Sequence, residues 1–183
     1  MPLRTREHTL LFARWIPGMT WPCELEWLYD AFSFSNCHAE IGTFCGKSLF
    51  VTANAMMTGR LLAVDNEQLN LTSPGWQAAV LENTIAELPP DVEVCRYVTD
   101  SAAAAITAKQ DGWELDSLFI DGDHSAEGVL RDFECWAPLV KPGGIIAGHD
   151  YWARDPGVMD AVNSLGRSFE VAEGTRIWHL RKE

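Results

Sequence analysis

From residue 36 onward, short runs rich in β-forming residues alternate with segments of helical periodicity. This alternation is typical of a parallel sheet built from βαβ units, and it restricts the chain to an α/β architecture. The predicted strands lie at 37–42, 60–65, 92–98, 116–121 and 144–148. The predicted helices lie at 47–57, 73–88, 101–109 and 125–139, with Ser73-Pro74 opening the second and Lys141-Pro142-Gly143-Gly144 forming a break after the fourth.

The two ends of the chain depart from this alternation. After a short helix at 156–165, residues 168–172 and 176–180 flank a turn and predict a hairpin whose last strand is antiparallel, at or inside the sheet edge. We therefore expect a doubly wound, seven-stranded, mostly parallel sheet with an antiparallel C-terminal hairpin strand. The first 35 residues predict an amphipathic helical segment that packs on the domain or forms a lid, and its aromatic residues are Trp15, Trp21, Trp27 and Phe34. The predicted division is a segment at 1–35 and a main domain at 36–183.

Composition narrows the class of partner. The length of 183 residues and the hydrophobic fraction of 47% fit one globular domain. A formal net charge of −12 disfavours nucleic acid and anionic membranes and favours a small molecule. No apolar run approaches the roughly 20 residues that span a bilayer, and the first residues lack a signal-peptide pattern. The cysteines are odd in number and widely spaced, with Cys37 and Cys95 in predicted strands and Cys135 in a predicted helix, so we expect buried free thiols and a cytoplasmic location.

Acidic and histidine residues follow two of the predicted strands. Asp121, Asp123 and His124 come directly after the fourth strand, and the pair His149-Asp150 comes directly after the fifth. Ligands of open α/β sheets bind outside the carboxyl ends of the strands. The sequence therefore predicts a polar reaction centre at this edge of the sheet, of a kind that can hold a metal ion.

The turn after the first predicted strand limits the choice of cofactor. It reads Glu40-Ile41-Gly42-Thr43-Phe44-Cys45-Gly46-Lys47-Ser48, and its glycines let a ligand approach backbone amides at the start of a helix. A phosphate-binding P-loop needs four residues between Gly and Gly-Lys-Ser, but three separate Gly42 from Gly46. A dinucleotide fingerprint needs a glycine where Phe44 stands, and the phenyl ring would block a pyrophosphate. Both phosphate ligands are disfavoured.

A cofactor without phosphate, such as S-adenosylmethionine, fits the same turn. Asp65 ends the second strand, 19 residues after Gly46, where a carboxylate can accept both ribose hydroxyl protons. The pair Asp100-Ser101 follows the third strand and is placed to bond the adenine amine. The predicted cofactor-binding residues are Glu40, Gly42, Thr43, Phe44, Gly46, Ser48, Asp65, Asn66, Asp100, Ser101 and Asp121.

Together these residues resemble a class I S-adenosylmethionine-dependent methyltransferase from Cys37 to the C terminus. The segment Glu-Ile-Gly-Thr-Phe-Cys-Gly-Lys-Ser-Leu is similar to the first motif of metal-dependent O-methyltransferases that act on catechols and caffeoyl thioesters. The segments Ile-Asp-Gly-Asp-His-Ser-Ala-Glu-Gly-Val and Lys-Pro-Gly-Gly-Ile-Ile-Ala-Gly-His-Asp-Tyr resemble the small-domain branch related to macrolide sugar O-methyltransferases. The resemblance implies a Rossmann-like methyltransferase fold and S-adenosylmethionine as cofactor, with the catalytic domain at 36–183.

The resemblance also implies roles for individual residues. In those relatives the first Asp of the fourth-strand motif and a polar pair after the fifth strand hold Mg²⁺, which here implies Asp121 with His149 and Asp150 as metal ligands. The residue three positions after that Asp is the general base, here His124. His149 stands where catechol-type enzymes have Asp, and Tyr151 follows the pair in place of Asn. Three alternatives stay open: His149 shapes the site without binding a metal, the metal is softer than Mg²⁺, or no metal is bound.

The expected activity is methylation of a hydroxyl oxygen on a small molecule, with Asp121 and His124 as catalytic residues. An ion on Asp121 and Asp150 would lower the pKa of the acceptor hydroxyl, and a neutral His124 would take its proton. The alternatives are a non-catalytic S-adenosylmethionine-binding module and, less favoured, a nicotinamide-dependent oxidoreductase. Tryptophans near the N terminus that the pattern leaves exposed also allow a homodimer.

Overall fold

A computed structural model describes residues 5–68 and 73–183 of the chain. Its strands are β1 (Cys37–Ile41), β2 (Gly59–Asp65), β3 (Val92–Val98), β4 (Leu115–Ile120), β5 (Val140–Gly148), β6 (Glu170–Val171) and β7 (Trp178–Arg181). Its α-helices are α1 (Arg6–Ala13), α2 (Pro22–Phe32), α3 (Lys47–Met56), α4 (Trp76–Ala86), α5 (Ser101–Gln110), α6 (Ala126–Trp136) and α7 (Pro156–Ser164). A 3₁₀ turn over Ala137–Leu139 joins α6 to β5.

The strands form one seven-stranded sheet in the order β3-β2-β1-β4-β5-β7-β6. The first five pair in parallel, whereas β7 pairs antiparallel with both β5 and β6. The order in which successive strands are added to the sheet therefore reverses between β1 and β4, the point at which ligands bind in open α/β sheets. The predicted fold, including the antiparallel hairpin strand inside the sheet edge, is confirmed.

Alternation along the strands places helices on both faces of the sheet. Leu118 and Ile120 of β4 pack in one cluster with residues of α5, α6 and α7. Phe119 faces the other way and packs with residues of α1, α2 and α3. The chain is thus a three-layer α/β/α sandwich. Among the described residues, no helix is long and apolar enough to cross a membrane.

Two local boundaries differ from the sequence prediction. The residue that caps α4 is Gly75, so the helix begins after Ser73-Pro74 rather than at that pair. The helical segment ends before residues 141–144 as predicted, but β5 begins at Val140 rather than at Gly144 and continues through these residues. Pairing with the chain end explains this: the Gly143 amide donates to the Lys182 carbonyl at 2.7 Å, and the Lys182 amide donates to the Gly144 carbonyl at 2.9 Å.

The N-terminal segment forms two helices, and of the four aromatic residues named above only Trp27, which is half-buried, packs against the buried cluster there. Trp15 is 84% exposed, and Trp21 and Phe34 are also exposed. The buried side chains of α1 and α2 are instead smaller or aliphatic ones together with Phe32, as the helical repeat allows: Ala13, Leu25, Leu28 and Phe32. The expectation of buried thiols holds for Cys45 alone, since Cys37, Cys95 and Cys135 are half-buried and Cys23 is exposed, all of them free.

Close contact between β1 and β4 depends on Gly42. A Cβ at this position would lie 2.0 Å from the backbone oxygen of Asp121, and the residue has φ +84°. Only glycine allows both this approach and this conformation at low cost. The ends of the two central strands are therefore in direct backbone contact.

We expect Gly42→Ala to destabilise the protein more than Gly143→Ala does. Gly143 has a similar φ of +80° but nothing within 4 Å of an added Cβ, so it controls for backbone strain. The steric contact at Gly42 should add roughly 1–3 kcal/mol to the loss in unfolding free energy, measured by urea denaturation. Equal losses for the two variants would contradict a close strand contact at Gly42.

Candidate functional site

Backbone hydrogen bonds also link the residues that directly follow the carboxyl ends of the central strands. The Gly42 amide donates to the Val64 carbonyl at 2.8 Å, and the Asp121 amide donates to the Ile41 carbonyl at 2.8 Å. The His149 amide donates to the Ile120 carbonyl at 3.0 Å. Four neighbouring strand ends are therefore held in register, and the residues that follow them share one edge of the sheet.

The glycine turn is held by the aspartate that ends β2. The Phe44 amide donates to Asp65 Oδ2 at 2.7 Å, and Phe44 takes the left-handed conformation with φ +49°. Asp65 Oδ1 accepts from the Glu67 amide at 2.6 Å and from Gln77 Nε2 at 2.9 Å. A carboxylate offers about four acceptor positions, so Asp65 can still receive a ligand hydroxyl.

Two adjoining cavities open at this edge, and they share Gly42, Phe44, Asp121 and Gly122. The first has a volume of about 480 Å³ and lies over the ends of β1, β2 and β3. Its further lining includes Asp65, Asn66, Asp100, Ser101, Arg131 and Asp132. The second has a volume of about 280 Å³ and lies toward β5. Its further lining includes residues 17–20, Thr43, Lys47, Ser48, His124, His149 and Asp150.

The cavities contain most, but not all, of the predicted cofactor residues. Gly46 is outside both linings and acts on the backbone: it has φ +82° and caps α3. Asp100 lines the first cavity and also caps α5, where its Oδ1 accepts from the Ala102 amide at 2.9 Å. Ser101 lies beside it and accepts a hydrogen bond from Trp136 Nε1 at 2.9 Å.

Glu40 is brought behind the cavities rather than into them. Its side chain is fully buried and is absent from both cavity linings. One carboxyl oxygen accepts from Ser48 Oγ at 2.9 Å, and the other has no hydrogen-bond partner among the described residues. Burial raises the pKa of Glu40 well above its ordinary value, and the charges of Asp121 and Asp65 raise it further. Burial therefore favours the neutral form of this carboxyl.

His124 lies among three carboxylates. Its Nε2 is 3.3 Å from Asp150 Oδ2 and 3.8 Å from Asp121 Oδ1, and its Nδ1 is 3.4 Å from Asp155 Oδ1. Hydrogen bonding to Asp121 and the charges of the three carboxylates outweigh burial and raise the pKa of His124 to about 9. The expectation of a neutral imidazole depends on an ion at Asp121 and Asp150, whereas these carboxylates alone favour the protonated form.

His149 lies between the same carboxylates and a fourth one from the N-terminal segment. Its Nδ1 is 3.2 Å from Asp150 Oδ2 and 3.3 Å from Asp121 Oδ1, and its Nε2 is 2.9 Å from Glu24 Oε2. Burial lowers the pKa of His149, but Asp121, Asp150 and Glu24 outweigh it and raise the pKa to about 12. Burial also opposes ionisation of Glu24, yet hydrogen bonds from His149 and Arg176 lower its pKa to about 2.

Comparison with known proteins identifies the family. A family model described as a methyltransferase domain matches residues 39–151, which include the glycine turn and both strand-end clusters. The chain belongs to this methyltransferase family. The predicted membership of the class I methyltransferases is confirmed.

Solved structures agree with the fold of this methyltransferase. An O-methyltransferase from Bacillus cereus in complex with SAH aligns over 97% of this chain and 90% of that one, with a TM-score of 0.67 and 19% identity. TomG, an O-methyltransferase from Streptomyces achromogenes in complex with SAM, aligns over 100% of this chain and 93% of that one, with a TM-score of 0.69 and 17% identity. At these identities the likeness shows a shared fold.

Curated relatives are longer than this methyltransferase. The uncharacterised protein R132 of Acanthamoeba polyphaga mimivirus is 32% identical over 133 residues, which are 70% of this chain and 58% of that protein. The uncharacterised protein y4gI of Sinorhizobium fredii is 27% identical over 159 residues, covering 74% of this chain and 17% of that protein. The chain thus spans little more than half of one relative and under a fifth of the other.

The Mg²⁺ ion that the family resemblance implies can be tested against the residues present. Ligand atoms of Asp121, His124 and Asp150 all lie within 4.8 Å of one another, so their spacing suits one ion. The charge does not suit it, because Arg176 Nη1 already donates to Asp150 Oδ1 at 2.8 Å. The permanent positive charge of this guanidinium, bound to the Asp150 carboxylate, repels a dication at the same place. The imidazoles are also poor ligands for Mg²⁺. The residues of this methyltransferase therefore do not fit a resident Mg²⁺ ion.

Sequence reasoning missed three residues that shape the site. Glu24 of α2 and Arg176 before β7 form its buried ion pair, and Lys47 Nζ holds the loop over the second cavity by donating to the Gly18 carbonyl at 2.8 Å. One local signal was present: Glu24 is the third residue of a helix that begins with Pro22, a position where an acid is common. Nothing in the pattern around Arg176 indicated a buried charge.

We expect Glu40→Gln to remove a pH-dependent loss of stability. A carboxyl whose folded-state pKa is raised stabilises the fold fully below its ordinary pKa, and this contribution is lost as pH rises toward the folded-state value. Relative to Glu40→Gln, the wild type should therefore lose roughly 1–3 kcal/mol of unfolding free energy between about pH 5 and pH 8. Urea unfolding at a series of pH values measures this difference.

The control for this experiment is Glu134→Gln, which removes an exposed carboxylate of α6. Its unfolding free energy should follow that of the wild type at every pH. Parallel curves for wild type and Glu40→Gln would refute the buried neutral carboxyl.

Proposed function

We propose that this chain transfers the methyl group of S-adenosylmethionine to a hydroxyl oxygen of a small molecule. The observation that carries the proposal is the junction of the two cavities at Gly42, Phe44, Asp121 and Gly122, with His124 beside it. One cavity can hold the nucleoside of the cofactor while the other holds the acceptor. The methyl group then lies at the boundary.

The first cavity has the chemistry that a nucleoside needs. Asp65 retains about one acceptor position for a ribose hydroxyl, and Asp100 and Ser101 line the same cavity, where the adenine amine would lie. Phe44 forms part of the floor of the cavity at the position that a pyrophosphate would need. This arrangement favours S-adenosylmethionine over a dinucleotide.

The transfer is an in-line displacement at the sulfonium methyl. The acceptor oxygen forms a bond to the methyl carbon, the carbon–sulfur bond breaks with its electron pair going to sulfur, and the acceptor proton passes to His124 Nε2. His124 must be neutral to accept it, and the positive sulfonium in the adjoining cavity favours loss of the imidazole proton. The protein contributes chiefly by holding the two reactants in line.

The acceptor is expected to be small, because the second cavity has a volume of about 280 Å³ and lies under residues 17–20. Sugar, catechol and lipid-like hydroxyl compounds all fit this description. The net charge of −12 supports a small molecule rather than nucleic acid. A cytoplasmic location and a homodimer are further proposals from the sequence.

The second candidate function is a non-catalytic cofactor-binding module, which keeps Asp65 and Gly42 but has no use for His124.

We expect Asp65→Asn to weaken S-adenosylmethionine binding by roughly 10- to 100-fold, since hydrogen bonds to a charged group contribute about 1.5–3 kcal/mol. Isothermal titration of the cofactor into purified protein measures the change. Asp91→Asn is the matched control, because Asp91 is an exposed residue that precedes β3, at the opposite edge of the sheet. A wild type that binds NAD but not S-adenosylmethionine would refute the proposed cofactor.

We expect His124→Gln to lower methyl transfer by about 10²- to 10⁴-fold, as loss of a general base does. Cofactor affinity should change little, because His124 lines only the second cavity. Release of S-adenosylhomocysteine in the presence of a panel of hydroxyl acceptors measures turnover, and His8→Gln, at an exposed position of α1, is the control. If the wild type binds the cofactor but turns over no acceptor, the non-catalytic module is favoured.

A further inference from the structure

We propose that Arg176 is the resident cation of this site and takes the place of a divalent metal ion, positioning Asp150 beside the acceptor. The inference rests on the proposed function, because it concerns the same site. The guanidinium contacts two carboxylates, that of Glu24 in α2 and that of Asp150 after β5.

The guanidinium donates in three directions. Nε and Nη2 form a bidentate pair with Glu24 Oε1 and Oε2, each at 2.9 Å. Nη1 donates to Asp150 Oδ1 at 2.8 Å, and Nη2 also donates to the Met19 carbonyl at 3.0 Å. Arg176 is only 7% exposed. Because a guanidinium keeps its charge in proteins, this is a permanent cation built into the site.

Two tryptophans fix the position of this cation. The Arg176 guanidinium carbon lies 4.2 Å from the ring centre of Trp21 and 5.0 Å from that of Trp152. Both contacts are within the range of a cation–π interaction. The charge is therefore held from the side by aromatic faces as well as from the ends by carboxylates, and it cannot easily leave Asp150.

Arg176 holds the segment around Asp150 through its own backbone carbonyl as well as through its guanidinium. Asp150 takes the left-handed conformation with φ +57°, which is unfavourable for a residue with a Cβ. The next amide, of Tyr151, donates to the Arg176 carbonyl at 2.9 Å. With Oδ1 bound to Nη1, the other oxygen of Asp150 is left facing His124 at 3.3 Å. Arg176 is thus a positioning residue.

A metal ion would duplicate this arrangement. It would have to bind Asp150 next to a guanidinium that already neutralises that carboxylate, and the two positive charges repel. If Arg176 supplies the charge, the acceptor needs no second oxygen with which to chelate an ion. The chemical class of acceptor is then a compound with a single reactive hydroxyl rather than one defined by a vicinal pair.

The test measures metal binding directly. Mn²⁺ is titrated into the full chain while electron paramagnetic resonance follows the free ion, and Mg²⁺ is titrated calorimetrically. We compare the wild type with Arg176→Lys, which keeps the charge, and Arg176→Gln, which removes it. The wild type and Arg176→Lys should bind no Mn²⁺ at the site up to about 1 mM, whereas Arg176→Gln should bind it at least about tenfold more tightly. This gained binding should disappear in Arg176→Gln/Asp121→Asn.

Two results would overturn the inference. One is stoichiometric Mn²⁺ binding by the wild type that Asp121→Asn abolishes, and the other is a folded Arg176→Gln that still binds no Mn²⁺. Because Arg176→Gln leaves Glu24 buried without its cation, the paired variant Glu24→Gln/Arg176→Gln serves in its place if the single variant does not fold. If neither variant folds, the comparison of wild type with Asp121→Asn decides.

Cofactor titration in the presence of EDTA separates this inference from the proposed function. Binding of S-adenosylmethionine by the wild type, with acceptor turnover changed less than about twofold by EDTA, supports both. If the wild type binds the cofactor but EDTA abolishes turnover and Mg²⁺ restores it, the role of Arg176 is refuted. The methyltransferase proposal then stays intact. Failure to bind the cofactor refutes the proposed function, while the Mn²⁺ result still judges Arg176.

Discussion

Direct backbone contact between the ends of β1 and β4 is the constraint on which this structure depends. Gly42 lies so close to the Asp121 carbonyl that no side chain fits between them. Beyond this point the chain passes from β1 to β2 on one side and from β4 to β5 on the other, so the contact sets where the two cavities meet. Asp65 on one side and His149 on the other are then placed by the same ladder of amide hydrogen bonds. The chemistry of the site follows from this geometry.

The balance of charges among the buried ionisable groups is the second constraint on the site. Glu24, Asp121 and Asp150 would repel one another strongly if they were buried alone. The positive charge of Arg176 and the imidazoles of His124 and His149 lie between them, at hydrogen-bond or ion-pair distance. These contacts lower the pKa of Glu24 to about 2 and lower that of Asp121 below its ordinary value. By contrast, burial raises the pKa of Glu40, which has no cation beside it among the described residues.

Local patterns were sufficient for the sheet and for the residues at its strand ends. The alternation of strand and helix, and polar residues directly after apolar runs, identified Asp65, Asp121, His124 and Asp150 because each lies within a few residues of the strand that positions it. The predicted bounds of β3 are those of the structure. The start of β5 was placed four residues too late, because the pairing that extends this strand comes from Lys182, a residue far along the chain.

The charges and the N-terminal face could not be read from local pattern. Glu24 and Arg176 are 152 positions apart, and each looks like a solvated residue in its own segment. Trp15 and Trp21 indicated an amphipathic segment without defining its buried face, and α2 is held by Leu25, Leu28 and Phe32. An aromatic side chain favours burial, but which face of a helix is buried depends on which face packs against the sheet.

The pairing of Glu24 with Arg176 joins α2 to the turn before β7. Arg176 follows Glu24 by 152 positions, so Glu24 leaves the ribosome well before its partner is made. During synthesis Glu24 therefore stays in water until the hairpin of β6 and β7 emerges. Such a late, long-range closure is intrinsically slow. A nascent chain can contain every strand from β1 to β5 and still lack Arg176, so the reaction centre is completed only after this hairpin has been made.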